Sequence, residues 1–230
     1  MLDFIRLIFL ITATLLTGPV AASLDVNVDF ASTKSGAAPA DTFAAGGQSG
    51  RWNLLAPNPG GDFDPLALVD TYGNATGVTL SLEGSPWQLI GGLGRSTSFS
   101  GRDDGVTRLM ADYIVNFRSV VIEGLDAGPY LLRAYGANHF GEPYPQTIRI
   151  NENPASDVAY GGVWRGDFLA GGTHAELMVH VGESGRFSLQ ALDGDPFLNG
   201  LQLSSVPEPS MAFFCGGMAV ALSRFRSRGP

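Results

Sequence analysis

The sequence predicts an all-β fold, an antiparallel β-sandwich, on three observations. Short segments in which apolar and polar residues alternate recur throughout residues 24–203, and turn-forming residues bound them. Glycine and proline are abundant, at 31 and 14 of 230 residues, whereas charged residues make up only 16%. No stretch of this region shows a convincing helical period, so strands are expected to account for its regular structure.

The predicted strands follow one another closely. In the first, Val26, Val28 and Phe30 alternate with aspartate and asparagine, as in a strand with one buried face. The predicted strands are residues 24–30, 78–82, 113–125, 130–135, 146–150, 175–181, 186–191 and 197–203. So many short strands in a chain of this length are typical of two packed sheets.

Residues 119–135 are predicted to form a strand, a tight turn and a second strand. Gly124 and Gly128 are expected to take positive φ angles in the turn, which glycine does without steric cost. Leu125 and Tyr130 are expected to pack into the core and hold the corner in place.

Three segments lack a strand pattern. Residues 31–50, rich in Ala, Gly, Ser and Pro, are predicted to be a flexible loop, and residues 91–105 a second mobile loop. Ser204 and Ser205 are expected to form a linker after the last strand. Residues 23–205 are therefore predicted to be one β-sandwich domain.

The charge balance restricts the class of partner. The formal net charge is −8, and because the C-terminal arginines carry a net positive charge, the middle of the chain is more acidic still. Such a surface repels phosphate backbones, so nucleic-acid partners are not expected. The one cysteine, Cys215, lies near the C-terminus, which excludes disulfides, thiolate metal sites and a cysteine nucleophile from residues 23–205.

An apolar run, residues 5–16, lies near the N-terminus. A helix-breaking Gly-Pro pair and the small residues Val20 and Ala22 follow it, which predicts a secretory signal, cleaved by signal peptidase between Ala22 and Ser23. A retained membrane anchor is the alternative, but spanning takes about 20 apolar residues and the run is shorter. Residues 1–22 are therefore predicted to be a signal peptide.

The C-terminal segment, residues 206–230, has three parts. A Pro-Glu-Pro turn, which cannot enter a helix or a central strand, precedes an apolar stretch and a cluster of arginines. Arginines at this position resist translocation and keep the chain end on the cytoplasmic side. The residues of this pattern are Pro207, Glu208, Pro209, Arg224, Arg226 and Arg228.

This order resembles the PEP-CTERM sorting signal of exported bacterial proteins. The resemblance implies recognition by an exosortase, a membrane-embedded cysteine protease, and contact with the membrane through the tail before processing. It also implies a Gram-negative-type bacterium that makes exopolysaccharide, with the protein in the envelope, at the cell surface or in the extracellular matrix. Extracellular polysaccharide is accordingly an expected partner.

Two other segments resemble galactose-binding-like jelly rolls. One is the closing strand 197–203, in which Asn199 and Gly200 precede alternating aliphatic residues, and the other is residues 72–80. The resemblance implies a jelly-roll sandwich that binds carbohydrate.

Hydrolase and metal motifs are absent from the sequence. No G-x-S-x-G or H-E-x-x-H pattern occurs, and residues 91–95 lack the lysine of a phosphate loop. His174 and His180 lie on the same side of one predicted strand but about 20 Å apart, so they cannot share a metal ion. His139 has no identifiable partner. No enzymatic activity and no obligatory cofactor are predicted.

Two acidic pairs are candidate calcium ligands, because calcium prefers carboxylate oxygens. They are Asp103 with Asp104 and Asp193 with Asp195. An ordinary role in loops and turns is the simpler interpretation, and a catalytic carboxylate pair is a third.

Four aromatic residues are candidates for stacking on a sugar ring: Trp164, Trp52, Trp87 and Tyr144. Glycines flank Trp164 and its polar neighbour Arg165, which favours an exposed ring at this position. Packing in the core is the alternative for each tryptophan.

Three hypotheses follow for the function. The first is an exported, non-catalytic protein with a structural or interaction role linked to exopolysaccharide. The second is a lectin-like carbohydrate-binding module, which saturable binding lost on replacing a tryptophan would distinguish. The third is a hydrolase, which requires an acid, a base and a nucleophile clustered in one pocket.

Overall fold

The structure is a computed structural model that describes residues 23–30, 38–90, 104–136, 145–163, 167–192 and 196–207. Residues 24–206 form one compact unit. The predicted signal peptide and all of the sorting tail beyond Pro207 lie outside the described residues. Among the residues that are described, no helix is long and apolar enough to cross a membrane.

Strands dominate the described chain, as the sequence predicts. In chain order the elements are β1 (Asp25–Asp29), β2 (Trp52–Leu54), β3 (Leu66–Val69), β4 (Ala75–Ile90), α1 (Asp104–Ala111), β5 (Asp112–Glu123), β6 (Gly128–Tyr135), β7 (Gln146–Ile150), a 3-10 turn (Pro154–Ser156), β8 (Val158–Tyr160), β9 (His174–Val181), β10 (Arg186–Ala191), β11 (Phe197–Leu198) and β12 (Gly200–Ser205).

The strands form two sheets that pack as a sandwich. One sheet has the order β2-β1-β12-β6-β9, and the other has the order β3-β4-β5-β10-β7-β8, with β11 paired to β5. Neighbouring strands are antiparallel, except that β2 runs parallel to β1. The predicted sandwich is therefore confirmed, with one parallel pair at an edge.

The core lies between the sheets and takes alternate residues from each strand, which is why the period-two pattern is visible in the sequence. Its residues include Val26, Val28, Leu132, Leu177, Leu201 and Leu203 from the five-stranded sheet and Leu80, Val120, Ile122, Ile148, Phe187 and Leu189 from the other. The predicted corner is also confirmed. Gly124 and Gly128 have φ angles of 85° and 149°, and Leu125 and Tyr130 are buried.

Asn53 joins the two sheets along the edge formed by β2 and β3. Its side chain accepts a hydrogen bond from the Val69 backbone N–H at 2.8 Å and donates to the Val69 carbonyl at 2.8 Å. It also donates to the Asn27 carbonyl at 2.9 Å. A side-chain amide thus takes the place of a backbone rung between the sheets.

The structure corrects two expectations about local structure. Helix α1 occupies residues for which no helix was predicted and begins inside the expected loop 91–105. It is only eight residues long, and its stability comes from burying Leu109 and Met110 rather than from its own sequence. Ser204 and Ser205 do not form a linker, because they belong to β12 and pair with Leu131 and Tyr130.

Candidate functional site

The ends of the sandwich differ, and the strand register defines them. Asp29, Gly200, Tyr135 and His174 form one row across the five-stranded sheet. Asn199 links Gly200 to β11 of the other sheet, so this row marks the same end of both sheets. We call it the loop end, and the opposite end, closed by residues 70–74, 124–127 and 182–185, the turn end.

Most of the long connections leave the loop end, and so does the short connection 192–196. Strands β4, β6, β8 and β10 finish there, and residues 91–111, 136–145, 161–173 and 192–196 follow them. The connections at the turn end are shorter: residues 70–74 and 151–157 join neighbouring strands of one sheet, and residues 124–127 and 182–185 cross from one sheet to the other. A rigid sandwich that carries its long connections at one end is a common arrangement for a binding site.

Most of the predicted site residues belong, by chain order, to connections that leave the loop end, although the residues themselves lie outside the described ranges. Tyr144, Trp164, Asp193, Asp195 and Asp103 belong to connections that leave this end. Trp87 lies in β4 opposite Val115, and Asp104 is the first residue of α1. Of these two residues the backbone is described and the side chain is not.

Trp52 is the one candidate aromatic whose side chain is described, and it is buried. The residue is 5% exposed, and its ring packs 6.0 Å from the Phe43 ring, measured between centroids. The indole N–H donates to the Phe43 carbonyl at 3.1 Å. A ring enclosed in this way offers no face to a sugar. Trp52 is therefore a core residue, which was the alternative interpretation of each tryptophan.

The part of the predicted loop 31–50 that is described packs against the five-stranded sheet. We define residues 38–50 and α1 as the cap, since together they cover the outer face of that sheet toward the loop end. A Cβ on Gly200 would lie 2.6 Å from Leu109 Cδ1, and a Cβ on Gly105 would lie 2.4 Å from the Phe43 ring. Glycine is therefore needed where the cap meets the sheet.

A polar network holds the cap to the sheet, with Gln202 at its centre. The Gln202 amide nitrogen donates to Asn27 Oδ1 at 2.9 Å, to the Gln48 carbonyl at 2.7 Å and to the Ala44 carbonyl at 3.3 Å. Its oxygen accepts from the Tyr135 hydroxyl. Each polar group of this buried side chain therefore has a partner, as burial requires.

Tyr135 and His174 lie beside this network. The Tyr135 hydroxyl accepts from the Gly46 N–H at 3.1 Å, and the Tyr135 and His174 rings lie 5.3 Å apart. Burial raises the pKa of Tyr135 above its ordinary value, so the phenol stays neutral. Its role here is to donate and accept hydrogen bonds.

His174 is almost fully buried beneath the cap. Among the described residues its Nδ1 has no hydrogen-bond partner, and its Nε2 lies 3.8 Å from Glu176 Oε1. Burial is the main reason that its pKa lies below the ordinary histidine value, although Glu176 opposes the shift. Arg133 donates to the same Glu176 oxygen at 2.6 Å, which leaves the carboxylate tied to arginine.

The two histidines face the same side of one strand, as predicted. His174 and His180 are both in β9 and on its outer face, with His174 under the cap and His180 exposed. Within the described ranges, no group of three or more His, Cys, Asp or Glu residues is placed to hold a metal ion.

No family model matches the chain, and no curated protein matches it either. Similar solved structures include a β-glucuronidase from Bacteroides uniformis, at 14% identity and a TM-score of 0.43. The match covers 80% of this chain, which spans only 18% of that enzyme's length. A family 35 carbohydrate-binding module from Clostridium thermocellum matches at 16% identity and a TM-score of 0.29, over 55% of this chain and 98% of that one.

A third structure, of the plant peptide RALF23 in complex with FER and LLG2, matches at 10% identity and a TM-score of 0.41. That match covers 80% of this chain and 40% of the other. The similar structures thus include carbohydrate-binding and glycosidase chains. At these identities and TM-scores they establish neither a family nor a ligand.

Proposed function

We propose that this protein is an exported, non-catalytic β-sandwich that binds extracellular polysaccharide through its loop end. One observation carries the proposal: the connections that hold Tyr144, Trp164, Asp193 and Asp195 all begin and end at the same end of a rigid sandwich. Sugar binding needs flat apolar surfaces beside polar groups, and these connections supply both residue types.

The sequence patterns at both termini support an extracytoplasmic location for this function. The signal ending at Ala22 and the tail that begins with Pro207, Glu208 and Pro209 support processing by signal peptidase and an exosortase. The protein would then act at the cell envelope, the cell surface or the extracellular matrix. The acidic net charge of −8 favours uncharged polysaccharide over anionic polymers.

Calorimetry on residues 23–207 tests the proposal. This segment contains the whole compact unit, and hydrogen bonds from Ser205 N–H to the Leu24 carbonyl and from Val206 N–H to the Pro129 carbonyl fix both of its ends. Bacterial and plant polysaccharides are titrated with and without calcium. Saturable binding to an uncharged polymer is expected, and a calcium requirement would implicate Asp193 and Asp195.

Two variants locate the site. Trp164→Ala is expected to weaken binding at least several-fold, because it removes the stacking ring. Met178→Ala is the control, since Met178 is 62% exposed on the outer face of β9 and away from these connections. No saturable binding to any polymer would contradict the proposal and favour a purely structural role.

A further inference from the structure

Tyr72 is the most exposed large apolar side chain among the described residues. It is 86% exposed and lies at the turn end, in the connection between β3 and β4. An exposed tyrosine is not unusual by itself, but a binding role also requires a fixed backbone and suitable polar side chains on the same turn.

The turn that carries Tyr72 is rigid. The Asp70 carboxylate accepts from the Tyr72 N–H at 2.9 Å, from the Asn74 N–H at 2.8 Å and from the Asn74 side-chain amide at 2.9 Å. These hydrogen bonds, chiefly the one from the Asn74 side chain, lower the pKa of Asp70, so the carboxylate remains charged and the turn remains closed in mildly acidic solution.

The residues on either side of this turn are also fixed. The Thr71 N–H donates to the Asp25 carbonyl and the Thr71 carbonyl accepts from the Arg51 N–H, both at 2.9 Å. Gly50 has a φ of 122°, and a Cβ there would lie 2.4 Å from Thr71 Cβ. The cap thus presses against the base of the turn, and Tyr72 is presented to solvent by a backbone that has little freedom to lose on binding.

Two polar side chains suited to sugar hydroxyls lie on or against the same turn as Tyr72. The Arg51 side chain lies along the turn, with its Cδ and Nη1 each 3.5 Å from where a Cβ on Gly73 would be. Arg51 is exposed, and its guanidinium forms no ion pair within the described part of the chain. Asn74 is exposed as well. Its amide nitrogen donates to Asp70, and this fixes the orientation of the side chain, whose oxygen can accept a hydrogen bond.

We propose that Tyr72, Arg51 and Asn74 form a second glycan-binding site, at the turn end, for an uncharged hexopyranose chain. The Tyr72 ring stacks on the C–H face of one sugar, Arg51 donates to its hydroxyls, and the Asn74 oxygen accepts from a hydroxyl. The ligand class rests on the proposed function, and the net charge of −8 disfavours a uronate polymer despite Arg51. Sites at opposite ends of one sandwich would let a single molecule bridge two polysaccharide chains.

Three variants of residues 23–207, Tyr72→Ala, Trp164→Ala and the double variant, separate the two sites. An uncharged glucan, an uncharged galactan and an alginate oligosaccharide are each titrated by calorimetry. Amide chemical shifts of residues 70–74 are followed by NMR to locate the contact. Tyr72→Ala is expected to weaken binding of an uncharged oligosaccharide to the Trp164→Ala protein about tenfold.

Two further variants serve as matched controls. Tyr72→Phe keeps the ring and is expected to retain most of the affinity. Glu183→Ala alters an exposed residue in another turn-end connection and is expected to leave binding unchanged.

Each outcome decides between the sites. Ligand-dependent shifts at residues 70–74 that are lost in Tyr72→Ala support the turn-end site. Binding that only Trp164→Ala weakens, with no shifts at residues 70–74, overturns the turn-end site and leaves the proposed function intact. Shifts at residues 70–74 with alginate alone overturn the uncharged ligand class, and no binding of any oligosaccharide overturns both proposals.

Discussion

Gln202 is the centre of the network beneath the cap, and replacing it with leucine tests whether that network holds the cap in place. Leucine has a similar volume but cannot form hydrogen bonds. The Asn27 side-chain oxygen loses its donor and the Tyr135 hydroxyl loses its acceptor, and both residues are fully buried. The Gln48 and Ala44 carbonyls also lose a donor, in partly buried positions.

The magnitude follows from these losses. Each buried polar group left without a partner costs about 1–3 kcal/mol, so Gln202→Leu is expected to lower the free energy of unfolding by about 3–5 kcal/mol. Urea unfolding measures the change, and the slope of free energy against urea should stay the same. The control is Gln190→Leu: the Gln190 amide donates to exposed Glu152 at 3.3 Å, so losing that bond should cost less than about 1 kcal/mol.

A loss below about 1 kcal/mol for Gln202→Leu would refute the reasoning, since it would mean that the cap opens and lets water satisfy the network. Hydrogen exchange at Gly46 gives an independent reading, because its N–H donates to the Tyr135 hydroxyl within the network. That amide should exchange faster in the variant than in the natural protein.

Two further predictions concern the cap. Gly50→Ala should destabilise the protein by about 2–4 kcal/mol, because its Cβ would lie 2.4 Å from Thr71. The control, Gly61→Ala, should cost about 1 kcal/mol, since Gly61 has a φ of 90° but open space around it. Equal losses of unfolding free energy in urea would contradict this prediction. Stability should also depend on pH through His174, whose nearest charged or titratable neighbours are Glu176, Arg133 and Tyr135. The pKa of His174 is lower in the folded state than the value of about 6.5 expected when unfolded. Its stabilising contribution is therefore complete above about pH 6.5 and falls as the pH is lowered toward the folded-state pKa. His174→Gln should accordingly flatten the stability–pH profile measured by urea unfolding, and an unchanged profile would contradict this.

Much of the fold was predictable because strand burial leaves a direct mark on the sequence. Residues that alternate between core and solvent, such as Val26 and Val28 in β1, give a period-two pattern that needs no knowledge of the partner strand. Gly124 and Gly128 were predictable for a similar reason, since a tight corner with positive φ depends on local sterics alone.

The strands and the helix that were not predicted show no such pattern in the sequence. Strands β2, β3 and β8 have three or four residues each, which is too short for a period to emerge. Helix α1 depends on contacts with Phe43 and Gly200, residues far from it in the sequence. Asn27 and Gln202 occupy positions that the alternation assigns to solvent, and only the cap turns them into buried residues.

The candidate sites, like the fold, were predictable from the sequence only in part. The sequence by itself determined the class of fold and which residue types were present for sugar binding, because these depend on composition and local order. The signals at both termini stay predictions made from the sequence. The tertiary structure decided that Trp52 is a core residue and that Tyr72, which was not among the predicted sugar-binding residues, is exposed. Whether a ring is covered depends on what distant segments pack against it: Phe43 against Trp52, and no such ring contact for Tyr72 within the described residues.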